Sequence, residues 1–176
     1  MSLRCLFVVQ GEGRGHLTQA MALRRLLREA GHRVESVVVG KSRGQAVPTF
    51  FRDAFEAPVT HVESPSFVSD GQDRSVRPWA TLLREAGRTP TFWRSLGALD
   101  DAIDRHEPDV VVNFFEPLMG VYAASRRPSV PIVAVAHQYM FLHPAYQFPP
   151  GRWVQRWGAK AFARLTAWGA SRRLAL

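Results

Sequence analysis

Apolar residues in this chain fall into short, nearly unbroken runs separated by stretches with three- and four-residue periodicity. The first run, LRCLFVV (3–9), has strand length and the pattern of a strand buried on both faces of a parallel sheet. Leu17, Ala20, Met21, Leu23, Leu27 and Ala30 then share one broad helical face. Gly31 stands where a helix-terminating glycine belongs. RVESVVVG (33–40) predicts a second strand. The first forty residues thus read strand–loop–helix–strand, which calls for a right-handed crossover between parallel strands.

Later segments repeat the alternation. Residues 41–58 read as irregular, with Phe50, Phe51 and Phe55 on a short helix, and VTHVE (59–63) predicts a third strand. A polar connector over 64–78, rich in Pro, Ser, Gly and Asp, is longer than a plain link needs. Helical patterns occupy about 79–87 and 90–106. PDVVVNFFEP (108–117) predicts a strand, 118–126 a helix, and VPIVAVAH (130–137) a further strand. The pattern predicts an α/β fold, a Rossmann-like open parallel sheet of five or six strands flanked by helices. Ligands of such sheets gather beyond the carboxyl ends of the strands. That rule selects the loops at 10–16, 113–117 and 137–147.

Composition changes this picture little: 46% hydrophobic and 22% charged residues over 176 positions suit one globular domain. Charge adds more. The net +8 comes from twenty-one arginines and two lysines against fifteen acids. Such a balance fits nucleic acid, a membrane surface or an anionic substrate. No recognised nucleic-acid motif accompanies it, so nucleic acid is not an expected partner. Cys5 is the only cysteine, which excludes a disulfide framework and fits a reducing cytoplasm. No signal-peptide pattern is seen, and no run approaches the ~18 apolar residues of a spanning helix.

Candidate chemistry concentrates in VVQGEGRGHLTQA (8–20). A dinucleotide fingerprint needs G-x-G-x-x-G. Gly11 and Gly13 fit it, but His16 takes the last position. The second strand ends in GKSR where a ribose-holding acid is expected. Lys41 and Arg43 there suit a 2′-phosphate, which keeps an NADP-binding Rossmann oxidoreductase domain as the alternative. A P-loop is excluded, because Glu35 occupies its first glycine position ahead of Gly40-Lys41-Ser42. What remains is a glycine loop opening onto a helix N-terminus, a place that attracts anions and lets a ligand approach the backbone closely. His16 sits in the first turn of that helix. The positive helix end favours its neutral form, which can act as a base; a plain helix-capping role stays open beside it.

GEGRGHLTQA resembles the N-terminal signature of GT-B glycosyltransferases, in particular the bacterial branch related to the lipid II-forming N-acetylglucosaminyltransferase, whose first loop ends in Gly-His. PDVVVNFFEPL resembles that branch's strand and loop ending in Glu-Pro, and VPIVAVAHQYMF its later strand and loop, here with His137-Gln138 in place of Gln-His. The three motifs span residues 3–141.

The resemblance implies two Rossmann-like domains facing a cleft, the first binding acceptor and the second a nucleotide-sugar. It implies no metal or other cofactor at the reacting centre. In keeping with that, Asp100, Asp101 and Asp104 read as a solvated helix face, and the histidines lack the close pairing of a zinc site. Residues 1–150 would be the acceptor domain. The donor domain would be absent, so this chain alone would transfer nothing. The resemblance makes His16 the base for an acceptor hydroxyl and Glu116 the carboxylate on its other ring nitrogen; alternatively Glu116 alone is the base and His16 lines the phosphate site. Glu116 also reads as the cap of the helix begun by Pro117. Gly11, Glu12, Gly13, Arg14 and Gly15 would shape the loop near the donor diphosphate. Asn113, His137, Gln138 and the 64–78 connector would meet a glycan or lipid-linked cell-envelope acceptor. The stereochemical outcome stays open.

Residues 151–176 read as one basic amphipathic helix after the FPPG break, packing on the domain or linking to the donor domain. Trp153, Trp157, Ala161, Phe162, Leu165 and Trp168 recur at helical spacing among Arg152, Arg156, Lys160, Arg164, Arg172 and Arg173. Two readings stand: the tryptophans pack on the sheet or the donor domain, or the helix lies on an anionic bilayer, bringing a cytoplasmic protein to the inner face of the membrane.

Overall fold

A computed structural model of the chain describes residues 2–42, 44–64 and 90–175. The helix expected at 79–87, most of the 64–78 connector and Arg43 lie outside the described residues. The strands are β1 (Arg4–Gln10), β2 (Arg33–Lys41), β3 (Val59–Glu63), β4 (Val110–Phe114), β5 (Ile132–Val135) and β6 (Arg172–Leu174). The helices are α1 (Gly15–Glu29), α2 (Thr49–Arg52), α3 (Pro90–His106), α4 (Pro117–Arg126) and α5 (Trp153–Thr166), with a 3-10 helix over His137–Leu142.

The strands form one parallel sheet in the order β3-β2-β1-β4-β5-β6. β1 reads as an unbroken apolar run because helices cover both its faces. Cys5, Phe7 and Val9 join a core with Leu17, Ala20 and Phe51. Leu6 and Val8 join another with Leu96, Leu99, Leu118 and Met119. Phe7 pairs with Val37 on one side and Val112 on the other, and its ring meets Phe114 at 5.0 Å. Each such fully buried side chain contributes about 1.5–3 kcal/mol. The chain builds outward from β1 through β2 to β3, then resumes at β4 on the opposite side. That reversal opens a crevice at the carboxyl ends of β1 and β4.

Two element boundaries differ from the sequence pattern. β4 stops at Phe114 because Phe115 takes a left-handed φ of 61° and Glu116 then caps α4. The tail is also not one helix. α5 ends at Thr166, Gly169 turns the chain with φ 72°, and Ser171 N donates to Ile132 O at 2.8 Å as β6 joins the sheet edge. Apolar periodicity predicts helix through this stretch, but the free edge of β5 supplies backbone partners for its last residues.

α5 packs by its second half. Phe162, Ala163 and Thr166 are its buried residues. Its backbone touches α4 at Gly120, where a Cβ would come within 2.8 Å of the Leu165 carbonyl carbon. Trp153, Trp157 and Trp168 point outward and do not pack on the sheet.

Candidate functional site

The glycine loop is built by three different constraints. Gly11 lies flat on β2: its N–H donates to Gly40 O at 2.7 Å, and a Cβ there would come within 2.8 Å of Val39. Gly13 takes φ 78°, which disfavours any residue with a side chain. Among the described residues, a Cβ on Gly13 or Gly15 would meet nothing within 4 Å, so they leave the space over this part of the loop open. Lys41 is buried and its Nζ donates to Gly11 O at 3.0 Å. The group offered to a 2′-phosphate in the oxidoreductase reading therefore braces the loop from below. Glu12 Oε1 accepts from Ser42 N at 2.8 Å and Ser42 Oγ at 2.7 Å, tying the loop to the end of β2. Arg14, over the Phe50 ring at 5.6 Å, precedes α1 without a side-chain cap. The first N–H groups of α1 therefore face the loop without a capping side chain.

His16 is the second residue of α1 and only 5% exposed. Its ring stacks on Phe115 at 5.3 Å and lies nearly parallel to His137 at 6.2 Å. Nδ1 sits 3.3 Å from Gln19 Oε1, and Nε2 sits 3.2 Å from Gln138 Nε2. An amide oxygen accepts from Nδ1–H, and an amide N–H donates to the Nε2 lone pair. The assigned amide orientations thus define a neutral imidazole with its basic nitrogen under Gln138. Burial pushes its pKa down to about 4; His137 adds to the lowering and the Gln19 bond opposes it.

Glu116 is fully buried. Its Oε1 accepts from Leu118 N at 2.9 Å, capping α4 ahead of Pro117, and from Ser64 Oγ. Oε2 has no partner among the described residues, and a Cβ on Gly40 would fall on this carboxylate. Burial raises its pKa to about 7, against the bonds from Ser64 and Leu118 and with the charge of Glu12.

The expected His16–Glu116 pair is not formed. Gln19 occupies Nδ1, while the helix cap and Ser64 occupy the carboxylate. Gln19 was legible as a candidate, since residues three apart on a helix share a face. Ser64 carried no such signal, because only the sheet brings it to Glu116. Of the three side chains assigned to the acceptor, His137 is exposed and Gln138 half-buried at the crevice. Asn113 is 1% exposed. Its Oδ1 accepts from Glu116 N at 2.9 Å, and its Nδ2 donates to Thr166 O at 2.7 Å and Glu116 O at 3.2 Å. Those bonds make it a strut under the crevice. Among the described residues, no three His, Cys, Asp or Glu side chains form a metal-holding group.

A sequence profile of glycosyl transferase family 1 matches residues 3–174. Among solved structures, Arabidopsis thaliana UGT89C1 complexed with quercetin superposes with a TM-score of 0.55 at 13% identity, over 99% of this chain and 43% of that one. The glycosyltransferase SnogD from Streptomyces nogalater matches at 24% identity and a TM-score of 0.46, over 98% of this chain and 44% of its own. CalG4, the calicheamicin glycosyltransferase, matches at 18% identity and a TM-score of 0.49, over 94% and 43%. This chain spans less than half the length of each of these structures. The likeness to the Arabidopsis protein shows a shared fold. No curated protein sequence matches the chain.

Proposed function

The chain belongs to glycosyl transferase family 1, and from that premise we propose that it is the acceptor-binding half of a two-domain glycosyltransferase. The sugar comes from a nucleotide-sugar held by a donor domain outside these residues. It goes to a hydroxyl on a glycan or lipid-linked cell-envelope acceptor, as in the bacterial branch that the three motifs resemble. Residues 1–150 make the body of the acceptor domain, and 151–176 complete its sheet through β6 and lead toward the donor domain. The observation that carries this reading is the buried, neutral imidazole of His16 at the crevice between β1 and β4.

His16 Nε2 takes the proton of the acceptor hydroxyl as its oxygen bonds to the anomeric carbon and the nucleoside diphosphate departs. Gln138 stands where that hydroxyl must arrive, and His137 flanks it. The open space above Gly13 and Gly15, beside the uncapped start of α1, suits the diphosphate. Glu116 supports the site from beneath by holding α4, Ser64 and the floor of the loop. The tests are direct. This chain alone transfers no sugar. In the complete transferase, His16→Ala lowers turnover by about 10²–10⁴-fold with acceptor affinity retained. Turnover within tenfold of the parent's would overturn the role of His16.

A further inference from the structure

The charge of this protein is segregated. All fifteen acidic residues lie within the first 116 residues, where fifteen basic residues balance them. Residues 117–176 hold eight basic residues and no acid, so the entire +8 belongs to them. α5 and the residues flanking it gather half of that charge, Arg152, Arg156, Lys160 and Arg164, together with exposed aromatic surface. Trp153, Trp157 and Trp168 are 70%, 63% and 58% exposed. Arg152, Arg156 and Arg164 stand exposed among them, and among the described residues none is ion-paired. The helix also organises the connection that follows the crevice. Arg156 and Lys160 lie over the Phe148 ring at 5.9 and 5.6 Å, and Phe148 packs with Phe141 and Tyr146.

We propose that the tryptophan–arginine face of α5, with the Phe148 cluster at its base, is a docking surface for an anionic phospholipid bilayer. Three features select that occupant. The exposed apolar groups on this face are tryptophans, whose amphipathic rings settle at the headgroup level. The surrounding charge is of one sign, complementary to anionic headgroups. No described helix is long and apolar enough to cross a membrane, so contact is along the surface. The placement also serves the site: Phe162, on the buried side of α5, packs at 5.0 Å against Phe115, the residue stacked on His16. Docking through α5 therefore brings the crevice next to the lipid surface. The inference stands on surface chemistry and does not depend on the proposed reaction.

The test is co-sedimentation of the chain with vesicles of phosphatidylcholine containing about a third phosphatidylglycerol, beside pure phosphatidylcholine vesicles and duplex DNA. The expected result is binding to the anionic vesicles that weakens about tenfold or more on pure phosphatidylcholine, in high salt, and in the Trp153→Ala, Trp157→Ala, Trp168→Ala variant. Absence of binding to anionic vesicles overturns the proposal, as does equal binding by the variant. DNA binding stronger than vesicle binding, lost with the same three tryptophans, also overturns it and makes the face a nucleic-acid surface. Should the triple variant not fold by circular dichroism, Arg152→Ser with Arg164→Ser, both exposed, asks the same question: retained binding overturns the proposal and loss supports it.

Discussion

Gln19 Oε1 lies 3.3 Å from His16 Nδ1, one helical turn away, and so decides which nitrogen of the imidazole faces the crevice. A neutral amide can fix the tautomer but offers little stabilisation to an imidazolium. A carboxylate in the same place would do both. Gln19→Glu is therefore expected to raise the His16 pKa from about 4 by roughly 1–3 units, measured by NMR titration of the ring protons. An unchanged titration would mean that Gln19 does not hold the ring in solution.

Two buried ionisable groups of the site, His16 and Glu116, should pull stability in opposite directions with pH. His16 is depressed from 6.5 to about 4, so the unfolded chain holds its proton more tightly. Its penalty is absent above pH 6.5 and grows as pH falls toward 4, to about 3 kcal/mol. Glu116 is raised from 4.5 to about 7, so its protonated folded form is favoured below pH 4.5 and that advantage is lost as pH rises toward 7. Between pH 4.5 and 6.5 the slopes oppose each other. Relative to the parent, His16→Gln should lose stability as pH rises through that window, and Glu116→Gln should gain it. Urea midpoints across the window check this; parallel profiles for all three proteins would refute it.

Gly120 and Gly97 are both helical glycines, yet alanine should act oppositely at the two. At Gly120 the new methyl runs into the Leu165 carbonyl and forces α5 off α4, costing at least ~1–3 kcal/mol. At Gly97 a Cβ meets nothing within 4 Å among the described residues, so helix propensity dominates and the change stabilises by about 0.4–1 kcal/mol. Thermal unfolding of the two variants decides it.

Asn113→Ala separates a strut from a ligand contact. Its loss strands Glu116 N and Thr166 O in the interior, and each buried unsatisfied group costs about 1–3 kcal/mol. A large fall in the urea midpoint is expected. Unchanged stability would return Asn113 to the acceptor side of the site.

The sequence alone determined five of the strands and the place of the candidate site. Continuous apolar runs such as LRCLFVV require burial on both faces. The Gly11–Gly15 loop followed by His16 marks the carboxyl end of β1, because period, glycine and polarity are local properties. Pairings across the sheet were decided only by tertiary structure. Ser64 reaches Glu116 because β3 and β4 flank the same pair of central strands. Gln19 displaces Glu116 from His16 because the buried carboxylate is drawn to the N–H groups that start α4. Asn113 reads like any polar residue at a strand end until Thr166 is folded against it. The tail shows the same division. Its helical spacing was legible, but β6 exists because β5 presents a free edge, and the tryptophans face outward because Gly120 draws the opposite side of α5 onto α4. Local periodicity says that a residue has a partner face; which face is taken depends on what else the fold has brought there.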